Sequence, residues 1–192
     1  ATRTCRPSGL HDTVDVWAAA HPMDDAAEDE GGCWSFAQLR DASLQAAALL
    51  QARGIHGEAP PDWSSRPVAP RPLALSMPRG REWYALCLAG WRLALPILAL
   101  SDDMPDKKAE LERAERAFRE TRPKAFVHFG DPAFLMPPTP LDCLVWKAAE
   151  FWLQASTYPL ALALNGGSSE VRPGSVLVYC YTGGTTKHSK CV

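Results

Sequence analysis

Between Ser35 and Gly54 the apolar residues Phe36, Leu39, Ala46 and Leu50 recur on one face of a 3.6-residue period, which predicts an amphipathic helix. Ser35 with Gln38 three residues later supplies a capping box at its start, and Gly54 ends it. Leu73 to Met77 is a short apolar run and predicts a strand. Glu82 to Leu95 predicts a mostly buried helix, followed by a strand from Ile97 to Leu100. Leu111, Ala114 and Phe118 make an apolar stripe among charges, so a further helix is expected, opened by Pro105 in its first turn and closed by Pro123. Ala125 to Phe129 and Cys143 to Trp146 predict strands, and Ser175 to Tyr181 predicts a buried one. Strand and helix in alternation is the pattern of a mostly parallel α/β sheet with flanking helices.

Two stretches interrupt that pattern. Residues 58–72 carry five prolines and are expected to form an extended surface insertion, since the sheet pattern continues on either side. Gly130 to Pro140 is a second proline-rich connection. There is no internal repeat. Residues 1–192 therefore read as part of one domain.

Composition narrows the function classes. The chain has 192 residues, 46% of them apolar, and a formal net charge of −2, so no basic surplus points to nucleic acid. The six cysteines at 5, 33, 87, 143, 180 and 191 include no C-x-x-C pair, which suits reduced thiols and a cytosolic setting better than a disulfide framework or zinc site. The apolar stretch Ala85 to Leu100 contains Arg92 and Pro96 and is too short to span a membrane, and Asp12 and Asp15 interrupt any apolar signal core.

The chemistry concentrates at the end of the sequence. Tyr181-Thr-Gly-Gly-Thr-Thr-Lys-His-Ser-Lys-Cys-Val192 places two glycines, four Thr or Ser hydroxyls and two lysines directly behind the last predicted strand. Adjacent glycines let the backbone turn and aim N–H groups inward, hydroxyls add donors and lysine adds charge, which is the composition of a phosphate cradle. A loop leaving the carboxyl end of a strand is also where open α/β sheets bind ligands. The Walker pattern is absent, because no glycine directly precedes a lysine followed by Ser or Thr.

The same residues resemble the adenylate-forming (AMP-binding) superfamily, whose signature runs close to Y-T-S-G-T-T-G-x-P-K-G-V. Tyr181, Thr182, Gly184, Thr185, Thr186, Lys190 and Val192 match it in register, and Gly183 stands at its small serine. Lys187, Ser189 and Cys191 replace a glycine, the proline and the final glycine, which leaves the loop less free to adopt positive φ. Leu10-His-Asp-Thr13 with the apolar residues after it resembles the family's opening helix, and Trp34-Ser-Phe-Ala-Gln-Leu39 its (L/Y)-T-Y-x-E-L segment. Leu49 to Ile55, Pro72 to Trp83 and Arg122 to Val127 are similar to the segments that follow. Ala89 to Leu98 resembles the stretch A-x-x-x-A-G-A-x-x-V-P-L.

The resemblance implies the front part of an adenylating enzyme's large domain, incomplete at its C-terminal end. It implies activation of a carboxylic acid by Mg-ATP as acyl-adenylate, loss of pyrophosphate, and transfer to CoA or to a carrier protein's pantetheine thiol. Thr182, Gly183, Gly184, Thr185, Thr186 and Lys190 would bind the ATP phosphates. The adenine pocket, the metal-binding acid and the catalytic lysine would follow Val192, so the 192 residues alone are expected to be inactive. A remnant or regulatory module keeping the fold without turnover is the alternative; a kinase-like phosphotransferase lacks a metal-binding acid after a second strand.

Other conspicuous residues have plainer readings. Asp102 and Asp103 precede a predicted helix and are expected as caps. His188 occupies a variable position of the signature and is expected exposed. Cys180 is expected to be buried in the strand and Cys191 a spacer, since no histidine is placed to form a catalytic pair with either. Trp17, Trp34, Trp83 and Trp91 are expected in helices or at their edges, as core.

Overall fold

The computed structural model describes residues 9–57, 69–100, 106–130, 135–160 and 176–181. Helix α1 (Leu10–Ala20) is followed by an antiparallel hairpin of β1 (Asp25–Asp29) and β2 (Gly32–Ser35), then α2 (Phe36–Ala52). From there strands and helices alternate: β3 (Leu73–Ser76), α3 (Arg81–Arg92), β4 (Ile97–Ala99), α4 (Lys107–Thr121) and β5 (Ala125–His128). The remaining elements are β6 (Leu144–Lys147), α5 (Ala148–Ala155) and β7 (Val178–Tyr179). The last five strands form one parallel sheet in the order β6-β5-β3-β4-β7. The expected α/β class, parallel sheet and flanking helices are therefore present.

Both faces of the sheet are covered, which is why the central strands are apolar without alternation. On one face Leu73, Leu75, Ile97 and Val127 pack with Leu49 and Leu50 of α2, Leu86 of α3 and Phe151 of α5. On the other, Ala74, Leu98 and Phe126 pack with Ala117 and Phe118 of α4. Phe118 and Phe126 meet edge to face, with ring centroids 5.0 Å apart, a favoured aromatic geometry. Ser35 and Gln38 form the expected capping box, and Gly54 takes φ +73° just beyond α2, a backbone setting that suits glycine.

Three expectations need correction. Helix α4 starts at Lys107, one residue after its cap, so Pro105 is not in its first turn. The cap is Asp106, whose side chain accepts from the N–H groups of Lys108 and Ala109, and not Asp102 or Asp103, which lie outside the described residues. Of the strand expected from Ser175 to Tyr181, only Val178 and Tyr179 form a strand, with a separate bridge residue at Tyr181. It lies at the rim of the described sheet, so Val178 and Cys180 are exposed and only Tyr179 is buried. The hairpin and α5 have no counterpart in the expected pattern. Of the proline-rich segment, residues 58–68 lie outside the described residues, while Pro72 is buried and Arg71 is tied into the sheet.

Candidate functional site

The residues expected to bind phosphate, Thr182, Gly183, Gly184, Thr185, Thr186 and Lys190, with Lys187, His188, Ser189 and Cys191, lie outside the described residues. Their point of attachment does not. Strand β7 pairs parallel with β4, Val178 opposite Ile97 and Tyr179 opposite Leu98, so the chain after it leaves from the carboxyl edge of the sheet. Several bonds hold this short strand. The Leu177 carbonyl accepts the Ile97 N–H at 2.9 Å and the Trp91 indole N–H at 3.0 Å. The Tyr179 hydroxyl donates to the Pro70 carbonyl at 2.9 Å, and the Tyr181 hydroxyl to Glu120 Oε2 at 2.7 Å.

A second place at the same edge deserves comparison on topological grounds. From β3 the chain moves through α3 to β4 on one side, whereas β5 leads to β6 on the other, so the winding reverses between β3 and β5. Open α/β sheets bind ligands in the crevice at such a reversal. Here the last residues of the two strands, Ser76 and His128, face each other in register and both are buried. Burial and the nearby Lys147 charge lower the His128 pKa below 6.5, Glu150 opposing, which favours the neutral ring. Among the described residues Ser76 Oγ has no hydrogen-bond partner.

The start of α3, beside this crevice, would ordinarily attract an anion. The hairpin already provides one. Asp29, in β1, accepts the Arg81 backbone N–H at Oδ2 (2.9 Å), the Arg81 Nε–H at Oδ1 (2.9 Å) and the Gly31 N–H at Oδ1 (2.8 Å). The Arg81 backbone bond, foremost among these, holds the Asp29 carboxyl below its ordinary pKa. A side chain at Gly80 would fall on this carboxylate, so glycine is required by the close approach. Helix α3 thus has an internal carboxylate where a phosphate would otherwise sit. The guanidinium of Arg81 also lies 5.2 Å over the Trp34 ring, closing the hairpin onto the helix.

The amino end of the sheet is built for support. Arg71, just before β3, donates to the Arg122 carbonyl at 2.6 Å and to both carboxylate oxygens of Asp142 at 2.6 and 3.0 Å, joining the entrances of β3, β5 and β6. That bidentate contact holds the Asp142 carboxyl below its ordinary pKa. An open groove of about 560 Å³ beside it is lined by Phe118, Arg119, Arg122, Pro140 and Leu141.

Among the expected core tryptophans, Trp83 and Trp91 are partly buried on α3, Trp34 is partly buried on a strand rather than a helix, and Trp17 is 46% exposed. Trp17 stacks on Phe36 at the surface, where α1 ends. The anchors Trp91, Glu120 and Arg71, and the cap Asp29, were not anticipated. Their partners lie 51 to 86 residues away, so no local spacing signals them. Among the described residues no group of three or more His, Cys, Asp or Glu could hold a metal ion, and none is assigned to Mg²⁺. No helix among them is long and apolar enough to cross a membrane.

The sequence profile described as AMP-binding enzyme matches residues 14–192. No curated protein matches the chain. Among solved structures, VinN in complex with 3-methylaspartate is similar with a TM-score of 0.70 at 21% identity, over 96% of this chain and 46% of that one. The NpsA N-terminal subdomain from Klebsiella oxytoca, in complex with 3-hydroxybenzoyl-AMSN, gives 0.72 at 13% identity, over 95% and 40%. A fatty acid AMP ligase from Legionella pneumophila gives 0.71 at 17% identity, over 97% and 30%. At these identities the likeness is one of fold, and the chain spans less than half the length of these structures.

Proposed function

Since the chain belongs to the AMP-binding enzyme family, we propose that it serves ATP-dependent activation of a carboxylic acid as acyl-adenylate, with release of pyrophosphate and later transfer to a thiol. The observation that supports this reading is the parallel pairing of β7 with β4, which puts the residues just ahead of the glycine- and threonine-rich stretch 182–190 at the carboxyl edge of the sheet. The internal carboxylate at the start of α3 adds support, because it makes that competing anion site unavailable.

The proposed work of the loop follows from charge movement. A carboxylate oxygen attacks the α-phosphorus of Mg-ATP and the bond to the bridging oxygen of the β-phosphate breaks, so negative charge grows on the departing pyrophosphate. Donors already aimed there stabilise that state more than bound ATP. We assign this to the backbone and hydroxyl groups of Thr182, Gly183, Gly184, Thr185 and Thr186, with Lys190 supplying the positive charge. Mg²⁺ enters with the nucleotide as substrate. The acid-thiol ligase type, with CoA or a carrier-protein pantetheine as acceptor, is part of the proposal; NpsA has been studied fused in an adenylation-PCP di-domain. A cytosolic setting is proposed from the cysteine pattern. The 192 residues are assigned the phosphate-binding share of the reaction and no turnover by themselves.

Lysine acylation read by mass spectrometry tests this on the chain as it is. Pyrophosphate and Mg-ATP should shield Lys190 and leave surface lysines such as Lys108 labelled. Equal labelling of Lys190 with and without them would overturn the loop assignment and favour a non-catalytic remnant. Pyrophosphate exchange into ATP with fatty, aromatic and amino acids should be absent; brisk exchange would overturn the division of labour.

A further inference from the structure

The groove of about 560 Å³ beside the Arg71 junction lies between the last turns of α4 and the proline-containing segment that leads into β6. Its two walls are fixed to each other. Arg71 donates to the Arg122 carbonyl on one side and to Asp142 Oδ2 on the other, at 2.6 Å in each case. Arg122 takes a left-handed φ of +48°, a setting that residues with side chains rarely adopt, and its N–H donates to the Phe118 carbonyl at 2.8 Å. The groove is therefore built before any ligand arrives.

Its lining sorts into two kinds of surface. Phe118, Pro138, Pro140 and Leu141 are apolar, and Leu141 is fully exposed. The two prolines have no N–H to donate to an added strand, so recognition there falls to side chains. The charges are unequal. Asp142 is committed to Arg71 through both its oxygens. Arg119 and Arg122 are exposed, and among the described residues neither forms an ion pair. The remaining carboxylate of the lining is Glu115, one turn earlier on α4. Two uncommitted guanidiniums beside an apolar floor complement an occupant that is both acidic and apolar. The exposed rim decides its size, because sites for small molecules enclose most of the ligand, whereas an extended chain lies in an open groove with its outer side in water.

We propose that this groove docks an extended acidic and apolar peptide segment of a protein partner. Apolar side chains of the segment lie on Phe118, Pro140 and Leu141, and an acidic one pairs with Arg119 and Arg122. Glu115 sets the polarity by repelling acidic residues from its end of the groove. The proposal stands apart from the adenylation reading and uses none of its residues.

The test pans a phage-displayed library of random heptapeptides on the 192-residue chain, with counter-selection on the double variant Arg119→Glu, Arg122→Glu, whose fold is checked by circular dichroism. Enriched sequences should carry Asp or Glu beside Leu, Ile or Phe. The best of them, synthesised with a fluorescent label, is then titrated by anisotropy. Arg119→Gln and Arg122→Gln should each weaken it roughly 2- to 5-fold, and rising salt should weaken it further. Leu141→Ser should weaken it roughly 3- to 10-fold. Glu115→Gln should tighten it roughly twofold, a gain that misfolding cannot produce. No enrichment over the double variant, enrichment of basic sequences, or titrations indifferent to both arginines would overturn the proposal. So would displacement of the peptide by octanoate at equal concentration, which makes the site one for small carboxylates, or by the unlabelled chain itself, which makes the occupant a second copy.

Discussion

Lys187 and Lys190 stand three residues apart in one loop, yet register with the adenylate-forming signature gives them different work. Lys190 occupies the lysine position and Lys187 a glycine position. A charge-assisted hydrogen bond contributes about 1.5–3 kcal/mol, so Lys190→Ala should weaken pyrophosphate binding roughly 10- to 100-fold, with Lys187→Ala much milder. Gly184→Val should match the Lys190 loss, since a branched side chain obstructs the backbone's approach to phosphate. Calorimetric titration of the three variants checks this, and the reverse order for the two lysines would show the register to be misplaced. At this scale the sequence was legible where partners are near neighbours. Ser35 and Gln38 announce their box because three residues separate them, while Asp29 and Arg81 are 52 apart and nothing in either neighbourhood marks the pair.

For the elements, α4 shows how a cap is misread by a few positions. The acidic cluster before it offers Asp102, Asp103 and Asp106, and only the donor geometry of the first turn selects the last. Asp106→Ala should cost about 1 kcal/mol and lower the melting temperature by roughly 2–4 °C, followed by circular dichroism. The α2, α3 and α4 helices were foreseeable because one apolar face each must meet the sheet. The β1–β2 hairpin was not. Four of the five β1 residues are not fully buried and three are acidic, so it carries neither the apolar run nor the clean alternation of a half-buried strand. What holds it is the Asp29 bond to α3, a tertiary contact that overrides local preference.

Across the whole molecule, two histidines set a pH dependence. Burial lowers the pKa of His11, assisted by Arg92 and opposed by Asp12 and Asp15; burial also lowers His128, assisted by Lys147 and opposed by Glu150. Each ring binds a proton more readily when unfolded. Their contribution is therefore complete above the unfolded pKa of 6.5 and is lost as pH falls from there through the folded values. Asp29 and Asp142 are shifted down, so their contributions persist until pH falls below the ordinary carboxylate value of 3.8 and through their folded pKa values. Urea midpoints should decline from pH 7 to pH 5, and His11→Gln with His128→Gln should flatten that slope. An unchanged slope in the double variant would remove both histidines from the account. The parallel sheet itself was readable from alternating elements, but strand order was not, because it depends on which helix crosses which face.

The Arg71 junction has a temporal meaning as well. Its bonds join segments 51 and 71 residues apart, contacts whose loop closure makes them late to form on the way to the native state. Interactions absent from the folding transition state act on escape from the native basin. Arg71→Ala should leave the refolding limb of a stopped-flow chevron almost in place and raise the unfolding limb. The residue would then act as a clasp on the lifetime of the folded chain, with little say in how quickly that chain is reached.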